Sequence, residues 1–253
     1  MNRGLLLLSI IGIGAIAPLR MRAADEALPK GDAIMDRYVE VTGGRAVYEK
    51  RRSEIMTIEM EIVGKGIKGK LTRYTDSSNN ALSTGEIEGV GKMDEGVYKG
   101  QAWESTAVMG PRLKTGPEND DAVRDSYFNL ALEWRRLYKA EAVGVETVNG
   151  EECYKVRLTP LAGGKPQHEY LGKKSGLMVK MERTMVSPMG EITVQAAASN
   201  YKEFEGILYP TRIVQTVMGN QIALTMTGLK INQEIPKERF EPPAEIRKLM
   251  EKK

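Results

Sequence analysis

At Ser53 the spacing of apolar residues changes from a helical period to a period of two, and it keeps that period through most of the chain. Met56, Ile58, Met60 and Ile62 alternate with Thr57, Glu59 and Glu61. Successive strand side chains point to opposite faces, so the pattern describes a strand with one dry face and one wet face. Similar runs follow at 67–75, 81–87, 90–98, 102–105, 140–148, 153–159, 167–171, 177–186, 191–201, 207–217 and 221–231. Most connections are two to six residues long, and links that short force neighbouring strands to run antiparallel. Asn149-Gly150 is the strongest of the hairpin signals. The expected fold is mainly β, a single antiparallel sandwich or barrel of about eleven or twelve strands.

Helical spacing marks three other places. Ile34, Met35, Tyr38 and Val39 share one side of a helix that Asp32 can cap and Gly43-Gly44 ends. Val123, Tyr127, Leu130, Trp134 and Leu137 recur at alternating steps of four and three, widened by Phe128 and Ala131. This predicts one amphipathic helix over 120–138, capped by Asn119 or Asp120 and placed as a lid over the sheet. After the prolines at 236–243, residues 244–252 predict a charged terminal helix, loosely held.

The first 23 residues read as a signal peptide, leaving 24–253 as a single domain. Arg3 supplies a basic start and residues 5–19 an apolar run. That run falls short of the roughly 20 residues of a membrane span and suits a secretory segment. Arg3, Arg20 and Arg22 lie before the expected cut after Ala23, and no acid does. Removing those three from 37 basic residues leaves 34 against 34 acidic ones. A neutral mature chain lacks the basic surface that nucleic-acid binding wants. Cys153 is the one cysteine, so no internal disulfide can form, and a buried inert thiol is its expected role.

Motifs for catalysis are missing. Gly12 to Ala17 matches a dinucleotide fingerprint but lies inside the leader. Gly91-Lys92 is followed by Met93, so no P-loop forms, and no GxSxG elbow exists. His168, the one histidine, is flanked by Gln167 and Glu169 and reads as a solvated residue of an edge strand. With one His and one Cys, a zinc site lacks ligands. The expectation is no catalytic residue, no metal and no cofactor; a hydrolase built on His168 is the remaining enzymatic alternative.

Only 6% of residues are aromatic, whereas 14 are methionine. Met56, Met60, Met181, Met185, Met218 and Met226 are expected in strands. Methionine conforms to irregular apolar partners. A curved sheet lined with it suits a flexible acyl chain, and a closed core filled by methionine is an equal alternative on composition alone.

Four stretches carry a family resemblance. They are Ile34-Met35-Asp36-Arg37-Tyr38-Val39 ending in Gly43-Gly44, Gly100-Gln101-Ala102-Trp103-Glu104, Asn149 through Val156, and Gly206-Ile207-Leu208-Tyr209-Pro210-Thr211 followed by the closing strand and Ile235-Pro236-Lys237-Glu238-Arg239-Phe240. In their order, the chain resembles the LolA/LolB-like superfamily, outer-membrane lipoprotein-sorting type. The resemblance implies an incomplete antiparallel β-barrel with covering α-helices, so that 24–253 is a half-barrel domain. It also implies a periplasmic carrier of acylated molecules, lipoprotein or lipid, passing cargo between membrane-associated donor and acceptor proteins. Strand parity nominates Met56, Ile58, Met60, Leu177, Val179, Met181 and Met185 as cavity lining, with Val123, Tyr127, Leu130 and Trp134 on the lid. The working unit is expected to be a monomer. A sensor or protein-interaction module on the same fold is the competing reading.

Overall fold

The computed structural model describes residues 27–188 and 190–252. The expected signal peptide, 1–23, lies outside the described residues. Thirteen strands form one sheet: β1 (Ser53–Ile62), β2 (Ile67–Asp76), β3 (Ala81–Ile87), β4 (Gly91–Tyr98), β5 (Gln101–Thr106), β6 (Gly110–Leu113), β7 (Tyr138–Val148), β8 (Glu151–Pro160), β9 (Gln167–Gly172), β10 (Met178–Ser187), β11 (Gly190–Phe204), β12 (Ile207–Val217) and β13 (Asn220–Ile231). Their spatial order is β6-β5-β4-β3-β2-β1-β13-β12-β11-β10-β9-β8-β7, antiparallel throughout, and the two ends do not meet. The strand missing from the sequence expectation is β6. It is four residues long and contains Pro111, which a sheet tolerates at an edge. The other edge, β7, carries a bulge between Ala142 and Gly144, a feature that discourages pairing with other chains.

Helices α1 (Gly31–Val41), α2 (Arg45–Tyr48), α3 (Gly116–Asp125) and α4 (Leu130–Leu137) lie on one face of the sheet. There Ile34, Met35, Val39, Tyr48 and Trp134 pack with Tyr138, Val156, Leu158, Leu171 and Ile207. Gly31 sets the distance: a Cβ there would stand 2.6 Å from the Ala140 carbonyl carbon, so α1 rests directly on the backbone of β7. Asp32 does not cap α1. It lies in the first turn, and its carboxylate accepts a 2.8 Å hydrogen bond from Arg135 Nη1 of α4.

The sheet is rolled, and α3 shows it. In a flat sheet β5 and β10, eight strands apart in the order, would be separated by about 38 Å. A ten-residue helix spans about 15 Å. Both strands touch α3. The helix therefore crosses the hollow of an open half-barrel.

The single lid helix expected over 120–138 is instead two, and Tyr138 already belongs to β7. Asn129 takes the left-handed conformation at φ 57° and ψ 41°, which breaks the helical path. Its Oδ1 accepts from Arg51 Nη1 at 2.7 Å and its Nδ2 donates to the Tyr48 carbonyl at 2.9 Å. Asn79 Oδ1 accepts the Phe128 N–H at 2.9 Å. These long-range bonds outweigh the continuation of a regular stripe. Nor do Asn119 or Asp120 cap a helix: α3 starts at Gly116, with Pro117 in its first turn, and Asn119 Oδ1 accepts the Ala102 N–H of β5 at 2.9 Å.

The chain's end also departs from expectation. Helix α5 (Ala244–Glu251) and the 3-10 turn Lys237–Phe240 are fastened to the opposite face of the sheet. Ile246 is 0% exposed and packs in a cluster with Leu82, Trp103 and Phe240. Met218, expected in a strand, sits in the β12–β13 turn at φ 48° and is 68% exposed. Truncating Ile246 to alanine should cost about 2–5 kcal/mol, the scale of a buried aliphatic deletion. A urea midpoint unmoved by Ile246→Ala would show that the terminal helix is loosely held after all.

Candidate functional site

The pairing register sorts the strand residues onto two faces. Ile58 pairs with Leu71 and Met226, and Met60 with Gly69 and Leu224. Leu224 pairs with Ile213, and Gly85, opposite Leu71, pairs with Met93. All share the face that α3 crosses, because Arg73, opposite Met56, and Arg183, two residues from Met181, both bond Asp125 of α3. On the other face Glu59 pairs with Lys70, Lys70 with Glu86 and Glu86 with Lys92, a ladder of alternating charge. A pocket of about 540 Å³ lies among these charged side chains, outside the hollow.

Of the residues nominated for the cavity, Met56, Ile58 and Met60 fall together on the concave face. Met181, opposite Ala196, and Met185, opposite Ile192, fall on that face further along the sheet. Val179 sits at an irregularity between Met178 and Lys180, where strict alternation lapses. Leu177 precedes β10, and its carbonyl accepts the Gly172 N–H across the hairpin. On the lid, Trp134 is buried and Leu130 packs against the same cluster beneath α1. Val123 and Tyr127 are half-buried, and Tyr127 and Leu130 line a cavity of about 210 Å³ beneath the α3–α4 link.

Several polar residues of the hollow escaped the sequence reading. Arg51 and Glu54, both under a tenth exposed, form an ion pair in that cavity. The Arg51 guanidinium lies 4.8 Å from the Phe128 ring centroid and 5.6 Å from that of Tyr209, both within cation–π range. Tyr209 donates its hydroxyl proton to Glu54 at 2.7 Å. Burial pushes the Tyr209 hydroxyl well above the usual tyrosine range, with the Glu54 charge adding to the shift. Arg183 Nη1 meets the Asp125 carboxylate at 2.5 Å, and Arg73 Nη2 reaches the Asp125 carbonyl at 3.5 Å. One signal could have found the last two. Arg73 lies two residues from Leu71, and Arg183 stands between Met181 and Met185, each at a position where the alternation calls for an apolar residue.

Glu169 of β9 occupies another such position, between Met181 and Val156. Its carboxylate accepts one hydrogen bond, from Gln167 Nε2 at 3.1 Å. Burial raises its pKa to about 7, and the Gln167 bond offsets this only in part. Tyr38 and Tyr201 are near enough to feel its charge.

His168 lies on the opposite face in β9, an interior strand and not an edge, between Arg157 and Glu182. Burial lowers its pKa. Cys153 is wholly buried, and burial raises its thiol pKa, which makes it a poor nucleophile. Among the described residues no group of three or more His, Cys, Asp or Glu side chains could hold a metal ion, and no helix is long and apolar enough to cross a membrane.

A helix-crossed, open antiparallel half-barrel with one apolar hollow defines the class of fold. No family model matches the sequence, and no curated protein matches it. Solved structures do match. A DUF1329 family protein from Desulfovibrio piger superimposes with a TM-score of 0.58 at 16% identity, over 85% of this chain and 98% of that one. A LolA superfamily protein from Nitrosomonas europaea gives 0.55 at 14%, over 85% and 99%. A domain classed with outer membrane lipoprotein-sorting proteins, from Vibrio parahaemolyticus, gives 0.54 at 16%, over 83% and 97%. The chain has the LolA-like fold.

Two outcomes follow from the charges in the hollow. Glu54→Gln leaves Arg51 buried without its counter-charge and should destabilise the fold by about 3–5 kcal/mol. Replacing both partners by apolar side chains of similar volume, Arg51→Met with Glu54→Leu, should cost less; chemical denaturation of the parent and the two variants checks the order. For Glu169, the folded chain keeps its proton up to about pH 7, while the unfolded chain releases it near 4.5. Between those values the folded state binds the extra proton, so stability falls as pH rises through this window. Glu169→Gln should remove that slope, leaving the variant more stable than the parent at pH 8 but not at pH 4, as read from thermal midpoints.

Proposed function

We propose that this protein binds the acyl chains of a lipoprotein or lipid in the concave face of its half-barrel, and that it does so outside the cytoplasm as a monomeric carrier. One observation carries the reading. Met56, Ile58, Leu71, Met93, Ile213, Leu224 and Met226 share the concave face and are only half-buried. None of them belongs to either of the two core clusters, which lie toward the two ends of the sheet. An apolar lining left partly wet gains by covering itself with a guest. Each buried methylene contributes roughly 0.8 kcal/mol, so about ten of them approach the 8 kcal/mol of a micromolar complex.

The likeness to a lipoprotein-sorting domain supports the cargo class. The one dinucleotide-like match, Gly12 to Ala17, lies in the expected leader and no P-loop follows it, so loading and release would follow affinity differences between a membrane-associated donor and acceptor. Binding is the whole activity on this reading, with no catalytic residue, metal or cofactor.

Delipidated protein should bind a fluorescent fatty-acid probe saturably, with micromolar or tighter affinity. Ile58→Glu or Met226→Glu, at half-exposed positions that tolerate a polar group, should weaken it at least about tenfold, since each charge would have to be desolvated by the bound chain. Saturable binding that neither change disturbs would place the chain elsewhere, and no binding at all would remove the proposal.

A further inference from the structure

The hollow is not uniformly apolar: the cavity of about 210 Å³ under the α3–α4 link has a polar floor. It is lined by Arg51, Glu54, Arg73, Thr75 and Ser126, with Tyr48, Tyr127 and Phe128 as walls. Arg51 is neutralised by Glu54. Arg183 is neutralised by Asp125. Among the described residues Arg73 has no carboxylate in ion-pair contact; it makes two long contacts, 3.4 Å to Ser83 Oγ and 3.5 Å to the Asp125 carbonyl, both to neutral oxygens. The acids next along its rung, Glu95 and Glu104, are engaged by Lys114 and Arg112 and make no ion pair with it.

Arg73 pairs in register with Met56 and lies two residues from Leu71, so its guanidinium borders the half-exposed apolar lining. A cation held at weak hydrogen-bonding distance in a partly desolvated wall attracts an anion more strongly than it would in water. The guanidinium fork fits carboxylate and phosphate oxygens in pairs.

We infer that the cavity at Arg73 is a headgroup subsite for an oxyanion, carboxylate or phosphate, attached to the acyl chain that the hollow takes up. This rests on the acyl-binding reading above and narrows it: the cargo carries an anionic group at the end of its chain.

The test is displacement of a bound fluorescent acyl probe by three ligands sharing one oleoyl chain: oleate, oleoyl lysophosphatidate and monooleoylglycerol. The parent protein should prefer the two anionic ligands over the neutral one by about tenfold or more, the scale of one charge-assisted hydrogen bond. In Arg73→Gln that ratio should collapse toward one, and Arg73→Lys should restore part of it, with circular dichroism confirming that both variants fold. Preference for oleate alone assigns the subsite to carboxylate, and preference for lysophosphatidate alone to phosphate. Equal affinities for all three in the parent, or a ratio that survives Arg73→Gln, would overturn the headgroup assignment while leaving acyl binding in place. Failure of all three ligands to displace the probe, together with no saturable probe binding, would overturn both.

Discussion

The structure depends on a thirteen-strand ladder that rolls without closing. Each antiparallel pairing satisfies backbone N–H and C=O groups, and the accumulated twist curls the ladder toward one side. Closure would bury both edges. Here the edges are a four-residue strand containing proline and a bulged strand, neither suited to pair with the other. The residues of one strand parity therefore face a hollow, and α3 spans it, touching both β5 and β10. The number of helices sets how much of that hollow is filled. The α1–α2–α4 layer covers the β7–β9 end and the turns near Ile207, and α5 serves the opposite face. The middle of the concave face, around β1, β13 and β12, is left half-covered.

Charges placed in that hollow account for how the crossing segment is held. Breaking the helical stripe at 126–129 sacrifices a turn of helix and gains bonds from Asn129 to Arg51 and Tyr48 and from Phe128 to Asn79. Arg183 grips the end of α3 through Asp125. Burying ionised groups is unfavourable unless each meets a partner, and Arg51 and Arg183 do. Glu169 meets the same constraint differently, by holding its proton to near neutral pH. Arg73, without a carboxylate, is the exception among them, which is why ligand chemistry rather than packing is the natural account of it.

Much of the fold was legible in the spacing of residues. The alternation at Met56, Ile58 and Met60 is a property of the local chain, and Asn149-Gly150 adopts positive φ at both residues, as its composition predicts. The lid was not legible as it stands. Val123, Tyr127, Leu130 and Trp134 satisfy a single helical stripe, but the break at Asn129 is made by partners about 50 and 78 residues away in sequence, Asn79 and Arg51. The same holds for α5. Its own sequence is charged, and only the groove beside Trp103 and Phe240 explains why Ile246 is wholly buried.

The amino-acid sequence by itself determined most of the strands, most of the apolar parity within them, and that the sheet runs antiparallel, because these follow from periodicity and short connections within a few residues of chain. It missed β6, a four-residue edge strand with no room for an alternating pattern. Only the tertiary structure decided that the sheet stays open, which arginines and acids meet inside it, and how much of the apolar parity remains uncovered. Those depend on register between strands and on contacts between segments far apart in sequence, and no local pattern records them.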